Sequence, residues 1–216
     1  MSVITIDGPA GSGKSTISKE LAAKLGYAYL DTGAMYRAVA WAVKKNGIDI
    51  NDEMAIVSLL DRVDLKFDFR SGMVMVNNED VSCLIRSPEM DALSSAVSRL
   101  AVVRNRLTNI QREIGGKGNI VAEGRDMGTV VFPDANFKFF LTAGIQERAM
   151  RRKKQLEASD EVISYEEILD QIGARDDADS TRALSPLSPA SDAVVIDTTD
   201  LMIDDVLKKI WKTITK

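Results

Sequence analysis

Apolar residues along this chain recur with two different periods. Val3-Ile4-Thr5-Ile6-Asp7 is a β-branched run that ends in a glycine cluster and reads as a strand. Ile17, Leu21 and Leu25 then recur every four residues until Gly26, which predicts a helix over 15–25. Tyr27 to Leu30 reads as a second strand. Thr32 can cap the helix after it, with Met35, Val39, Ala42 and Val43 on one side. Asp52 precedes another amphipathic stretch through Ile56, Leu59, Leu60 and Val63. The period then drops to two. Leu65, Phe67 and Phe69 alternate, Ser71-Gly72 turns the chain, and Met73 to Val76 returns as the second arm of a hairpin.

Helical spacing resumes at Ser87-Pro88-Glu89, which offers a cap, a proline for the first position and an acid in the first turn. Leu100, Val103, Leu107, Ile110 and Ile114 continue it to Gly115-Gly116, so one helix is predicted across the whole stretch. Strand-like runs follow at Ile120–Ala122, Phe137–Leu141 and Ala193–Ile196. Between the last two, Ser164 and Glu167 form a capping box ahead of Ile168, Leu169 and Ile172. Ile203, Val206, Leu207, Ile210 and Ile214 mark a final helix. Strands alternating with helices predict an α/β fold whose central parallel sheet is covered on both faces, with the hairpin as an insertion. Spacing leaves the strand order open.

Composition narrows the chemistry. At 216 residues the chain suits a single elaborated domain. Its formal charge of −4 argues against a nucleic-acid partner. No apolar run approaches membrane-spanning length, and Met1-Ser2-Val3 enters a strand without the pattern of a signal peptide. Cys83 is the lone cysteine, which excludes an internal disulfide, suits a reducing cytoplasm and is expected as a small buried residue. Histidine is absent, so Ser-His-Asp and Cys-His catalysis and His-ligated metals are excluded. Carboxylates, Arg, Lys, hydroxyls, backbone amides or a carried-in ion remain.

Gly8-Pro9-Ala10-Gly11-Ser12-Gly13-Lys14-Ser15 matches the phosphate-binding pattern G-x-x-x-x-G-K-[ST] between a predicted strand and a predicted helix. Glycines let successive amides face phosphate oxygens at a helix N-terminus. Lys14 would reach the outer phosphates, and Ser15 would ligate Mg²⁺ brought in with ATP; Thr16 completes the nucleotide-binding segment. The alternative is an ordinary glycine-rich turn. No N-K-x-D segment reads guanine, no L-S-G-G-Q string is present, and the D-x-x-G string Asp170 to Gly173 lies in a helical pattern. A small phosphotransferase remains, and it needs an acceptor site.

Three further strings make that specific: Leu30-Asp31-Thr32-Gly33-Ala34-Met35-Tyr36-Arg37, Glu123-Gly124-Arg125-Asp126-Met127-Gly128-Thr129, and Arg175-Asp176-Asp177-Ala178-Asp179-Ser180-Thr181-Arg182. With the P-loop, in this order and spacing, the chain from about residue 3 to 210 resembles the bacterial cytidylate kinases. The resemblance implies a single P-loop kinase domain over 1–216. It has a three-layer fold, an acceptor-binding subdomain with the hairpin at about 62–95, and a helical lid at about 148–185. It implies transfer of the γ-phosphoryl group of ATP to CMP or dCMP with Mg²⁺. Thr32, Gly33, Tyr36, Arg37, Ser95, Arg104, Arg125, Asp126, Arg175, Asp179 and Arg182 would bind the acceptor. Lys14, Arg125, Arg148, Arg152, Arg175 and Arg182 would carry the transfer. Ser95, Arg104 and Asp126 would read the base, with Ser94 and Ser98 as near neighbours in register.

The residues sustain this reading on their own chemistry. A monophosphate ester has its second pKa near ~6, so its oxygen needs no general base, and alignment with charge stabilisation suffices. Arg175, Asp179 and Arg182 share a face if helical, although taken alone they would be a solvated salt-bridge stripe. The cluster Arg148, Arg151, Arg152, Lys153, Lys154 is either a solvated helix face or a lid that turns Arg148 and Arg152 toward phosphates. Asp126 has a blander alternative too, pairing with Arg125 or capping a turn. Two rivals stay open: a P-loop phosphotransferase for another acceptor such as UMP or shikimate, and a nucleotide-gated binding module. The expected partners are the small nucleotides ATP, CMP and dCMP, with neither nucleic acid nor membrane, for a cytoplasmic monomer.

Overall fold

The computed structural model describes residues 1–68, 72–158 and 163–215. Val3–Asp7 (β1) is the middle of a five-stranded parallel sheet. Its order is Ala28–Asp31 (β2), Ile120–Gly124 (β6), β1, Phe137–Thr142 (β7) and Val194–Asp197 (β8). Because all five strands run the same way, their C-terminal ends share one edge. The register there pairs Asp7 with Gly124 and Asp31 with Glu123. Ligands of such sheets bind beyond that edge.

Each face of the sheet has its own apolar layer. Ile4, Ile6, Val121, Phe139 and Leu141 pack with Ile17 and Leu21 of Lys14–Leu25 (α1) and with Val206, Leu207 and Ile210 of Ile203–Ile214 (α8). Leu30, Ile120 and Ala122 face the other way, onto Thr32–Lys45 (α2), Glu53–Arg62 (α3) and Ala101–Gly115 (α5). Burying both faces accounts for strands that read as continuous apolar runs. The cap of α2 is Asp31 rather than Thr32: its carboxylate accepts from the Ala34 amide at 2.8 Å. Thr32 instead lies in the first turn and donates its hydroxyl to the Glu123 carbonyl at 2.7 Å.

The hairpin is present as Leu65–Asp68 (β3) and Met73–Val76 (β4), with Phe69 and Ser71 outside the described residues. A third short strand, Glu79–Asp80 (β5), extends it through Asn77 and Asn78, both at positive φ, a geometry asparagine tolerates in tight hairpins. Val74 and Val76 fasten this small sheet to the α2 side of the core. Cys83 follows it and is exposed, contrary to the buried position expected.

The single helix expected from Ser87 to Gly115 is two. Pro88–Val97 (α4) starts on the Ser87 cap and stops, and α5 restarts at Ala101. Serine hydroxyls turn back on their own backbone, Ser94 to the Asp91 carbonyl at 2.9 Å and Ser98 to that of Ser95 at 2.8 Å. Such bonds compete with helix continuation. The break frees the Ser98 carbonyl, which accepts from Arg104 of α5 at 3.1 Å. Ile145–Glu157 (α6) and Tyr165–Thr181 (α7) share a separate small core of Ala149, Leu156, Ile168 and Ile172. The capping box at Ser164 and Glu167 is formed as expected. Among the described residues no helix is long and apolar enough to cross a membrane.

Candidate active site

β1 delivers the chain into the glycine loop at the C-terminal edge of the sheet, and α1 begins at Lys14. Two glycines are obligatory there. A Cβ on Gly8 would lie 2.0 Å from the Leu141 carbonyl oxygen, and one on Gly11 (φ 76°) would lie 2.9 Å from the Arg148 Cβ. Only glycine lets the loop wrap this tightly. Lys14 is buried, and its ammonium donates to the Pro9 carbonyl at 2.6 Å. Burial pushes its pKa well down, and the nearby Arg125 charge adds to this. An ammonium so placed gains from any anion that enters the loop.

The Ser15 hydroxyl donates to the Glu123 carboxylate at 2.9 Å, and Tyr29 donates to the other oxygen of the same carboxylate. Burial, reinforced by the Asp31 charge, raises the Glu123 pKa. Glu123 stands within the strings quoted above but was given no role there. Its significance appears only once β6 is known to neighbour β1. Asp7, one residue before the loop, is buried and accepts from the Met127 and Gly128 amides at 2.9 and 2.8 Å. It thereby pins the turn that follows Arg125-Asp126, and burial lifts its pKa to about 6.

A cavity of about 620 Å³ opens from Lys14 and Ser15 toward α4, α5 and α7. Every residue expected at the acceptor lines it: Thr32, Gly33, Tyr36, Arg37, Ser95, Arg104, Arg125, Asp126, Arg175, Asp179 and Arg182. Ser94 and Ser98 line it as well. Arg152 does too, from α6. Of the loop itself, Ala10, Gly11, Lys14 and Ser15 reach the cavity, whereas Gly8, Pro9, Ser12, Gly13 and Thr16 do not border it. Arg148 does not border it either. Its guanidinium donates to the Ala143 carbonyl at 2.9 Å and the Ala10 carbonyl at 3.2 Å, and pairs with Asp176 at 2.6 Å. It braces the loop from behind. A separate depression of about 420 Å³ beside Arg112 and Phe132 shares none of these residues.

The cavity is an arginine–aspartate lattice. Asp126 pairs with Arg104, both side chains nearly inaccessible, and Arg182 stands 4.0 Å from its other oxygen. Neither bland alternative for Asp126 is realised: its side chain caps nothing, and Arg125 pairs instead with Asp179 at 2.8 Å. Burial works to raise the Asp179 carboxyl, but Arg125 and further arginines outweigh it and hold it below the ordinary range. Burial likewise opposes the Asp31 charge, and Arg37 and Arg86 overcome it to lower that carboxyl. Arg182 reaches the cavity by a route the heptad-like spacing did not anticipate. α7 ends at Thr181, and Arg182 is extended (φ −62°, ψ 141°), donating to the Ser185 carbonyl at 2.7 Å. Tyr36 lies under the Arg104 guanidinium, 5.7 Å from ring centre, and burial pushes its hydroxyl up to about 12. Among the described residues, three buried guanidinium nitrogens have no hydrogen-bond partner: Arg37 Nε, Arg175 Nε and Arg182 Nη2. Unpaired buried donors of this kind are costly until an acceptor fills the space.

Comparison with known proteins matches the sequence of this chain to a family. The family model for cytidylate kinase matches residues 4–216. A cytidylate kinase of Carboxydothermus hydrogenoformans is 47% identical over 213 residues, covering 98% of this chain and 96% of its own. That of Caldanaerobacter subterraneus is 46% identical over 213 residues, covering 99% and 94%. Among solved structures, a shikimate kinase from Bacteroides thetaiotaomicron aligns over 100% of this chain and 99% of its own, with TM-score 0.50 and 11% identity. That last likeness is one of fold, and it bears out the P-loop kinase architecture expected from the sequence.

Proposed function

Because the chain belongs to the cytidylate kinase family, we propose that it transfers the γ-phosphoryl group of ATP to CMP or dCMP, giving ADP and CDP or dCDP. The observation that supports it most directly is one cavity joining the loop lysine to guanidinium donors on α2 and on and beyond α7 that lack a hydrogen-bond partner. ATP lies with its phosphates against the loop amides and Lys14. The CMP phosphate lies among Arg37, Arg125, Arg175 and Arg182, its attacking oxygen already ionised at neutral pH. The reaction needs no proton abstracted; it needs two phosphates aligned and their charge balanced as the γ-phosphoryl group moves between them. Arg152, and Arg148 through its hold on the loop, support the donor side.

Mg²⁺ fits the chain's own donors. The Ser15 hydroxyl and Glu123 carboxylate are hard oxygens side by side at the loop, the pairing by which P-loop enzymes hold this ion. No cage of three or more acidic, Cys or His groups exists among the described residues, which suits an ion carried largely on nucleotide phosphates. When bound, it neutralises charge on the phosphates. Asp126 accepts from the cytosine amino group, and Arg104 donates to ring nitrogen 3, with Ser95 beside them. The acceptor-binding part is about residues 62–95, to which α5 adds Arg104, and the lid is about 148–185; the private core of α6 and α7 supports the lid as one unit. Lid closure keeps water, the competing acceptor, away from ATP. The lone cysteine supports a cytoplasmic protein, and the acidic balance one that engages no nucleic acid.

The test is ADP release measured with a coupled assay over CMP, dCMP, UMP, AMP and shikimate. Turnover should depend on acceptor and be greatest with CMP and dCMP. Turnover indifferent to acceptor would refute a kinase and return the binding module.

A further inference from the structure

Asp91, in the first turn of α4, has no part in the scheme above, yet guanidiniums from three other helices surround it. Its Oδ2 accepts from Arg152 of α6 at 2.8 Å, and its Oδ1 lies 3.5 Å from Arg37 of α2 and 3.9 Å from Arg175 of α7. One carboxylate thus draws together guanidiniums from three helices. Two of these, Arg37 and Arg175, are assigned above to the acceptor phosphate, and each keeps a buried Nε without a partner. The side chain is 22% exposed and borders the cavity, so it can be displaced into water without unfolding α4.

We propose that Asp91 is an internal stand-in for the acceptor phosphate, a tethered anion that must be displaced before the acceptor binds and that so sets the charge an acceptor has to carry. The inference rests on the acceptor assignment above. Asp91 divides one negative charge and two oxygens between the two acceptor-side arginines, Arg37 and Arg175, and Arg152 of the donor side. Asp31 adds only a 3.5 Å contact to Arg37, so the acceptor-side pair stays under-satisfied. A monophosphate dianion offers twice the charge and three oxygens, and it wins the exchange. A singly charged ligand gains nothing over the carboxylate it displaces. The same contact ties α6 and α7 to α4, so the arginines are held near their working positions without the repulsion that like charges at this spacing would otherwise cause.

Displacement lowers apparent affinity in proportion to the fraction of molecules in which the arginines are free. If the tethered form predominates by about ten to one, Asp91→Asn should bind the acceptor anion roughly tenfold more tightly. CMP and, separately, inorganic sulfate are titrated calorimetrically into wild type, Asp91→Asn and Asp91→Ser, with ADP filling the loop. Thermal denaturation identifies the variants that are folded, and serine serves if the asparagine variant is not. Tighter binding of the anion, with a fall in the KM for CMP, is the result expected. Equal or weaker binding in a folded variant would show that Asp91 merely positions the arginines and overturns the proposal. Failure of CMP to bind wild type would count against the acceptor assignment, while sulfate still reports on Asp91.

Discussion

The replacement Asp126→Asn tests how the base is read. Asp126 is a buried carboxylate with one oxygen on Arg104 and the other 4.0 Å from Arg182 at the cavity. Arginine can only donate, so an asparagine must turn its Oδ1 to Arg104 and leave its Nδ2 where the second carboxylate oxygen was. A donor there suits the uracil carbonyl and opposes the cytosine amino group. Each mismatched or relieved polar contact is worth about 1–3 kcal/mol. Two contacts at the low end of that range change the CMP-to-UMP ratio of kcat/KM by roughly thirty- to a hundredfold. Arg104 keeps a hydrogen bond but loses its counter-charge, so the variant should also melt earlier, by less than the roughly 3–5 kcal/mol of a fully broken buried pair. The assay is coupled ADP release with both acceptors on protein shown to be folded by its melting transition. If both rates fall by the same factor, Asp126 holds Arg104 in place and does not read the base.

Other outcomes follow from the same geometry. Lys14→Ala should lower kcat about 10²–10³-fold or more without unfolding the chain, since the loop rests on glycines and backbone; near-normal turnover would remove the loop lysine from the mechanism. Burial holds the Lys14 pKa down and nucleotide phosphates would raise it, so ATP binding at alkaline pH should take up a proton. Calorimetry in two buffers of different ionisation enthalpy detects this, and identical heats after Lys14→Ala and in wild type would refute it. For Asp7, the folded carboxyl, at about 6, keeps a proton that the unfolded one loses near 3.8, so this group makes stability fall as pH rises across that window. Melting curves of Asp7→Asn should show a flatter dependence there; an unchanged slope assigns it to other groups. Arg175→Ala and Arg182→Ala should depress kcat rather than only raise the KM for CMP, if their contacts strengthen as the phosphoryl group moves. Unaltered kinetics in both would remove them from the transfer and leave them as packing members of the arginine–aspartate lattice.

What this sequence determines alone is whatever neighbours in the chain can settle. The glycine loop, its lysine and the helix behind it are one contiguous segment, so their chemistry is legible from spacing, as are the caps at Ser87 and Ser164 and the two-residue period of the hairpin. Tertiary structure decided the rest, because the remaining contacts join residues far apart whose approach depends on strand order. β6 lies beside β1 because both its faces find apolar cover there, and only that adjacency brings Glu123 to Ser15. The break between α4 and α5 escaped the apolar period because α4 stops at Ser98, whose hydroxyl turns back on the Ser95 carbonyl, a side-chain bond that hydrophobic spacing does not register. That break in turn aims Arg104 at Asp126. Arg37, Arg152 and Arg175 are ordinary charged positions on three separate helices. They converge on one carboxylate only where packing brings those helices around Asp91, since charges act through distance in space and not along the chain.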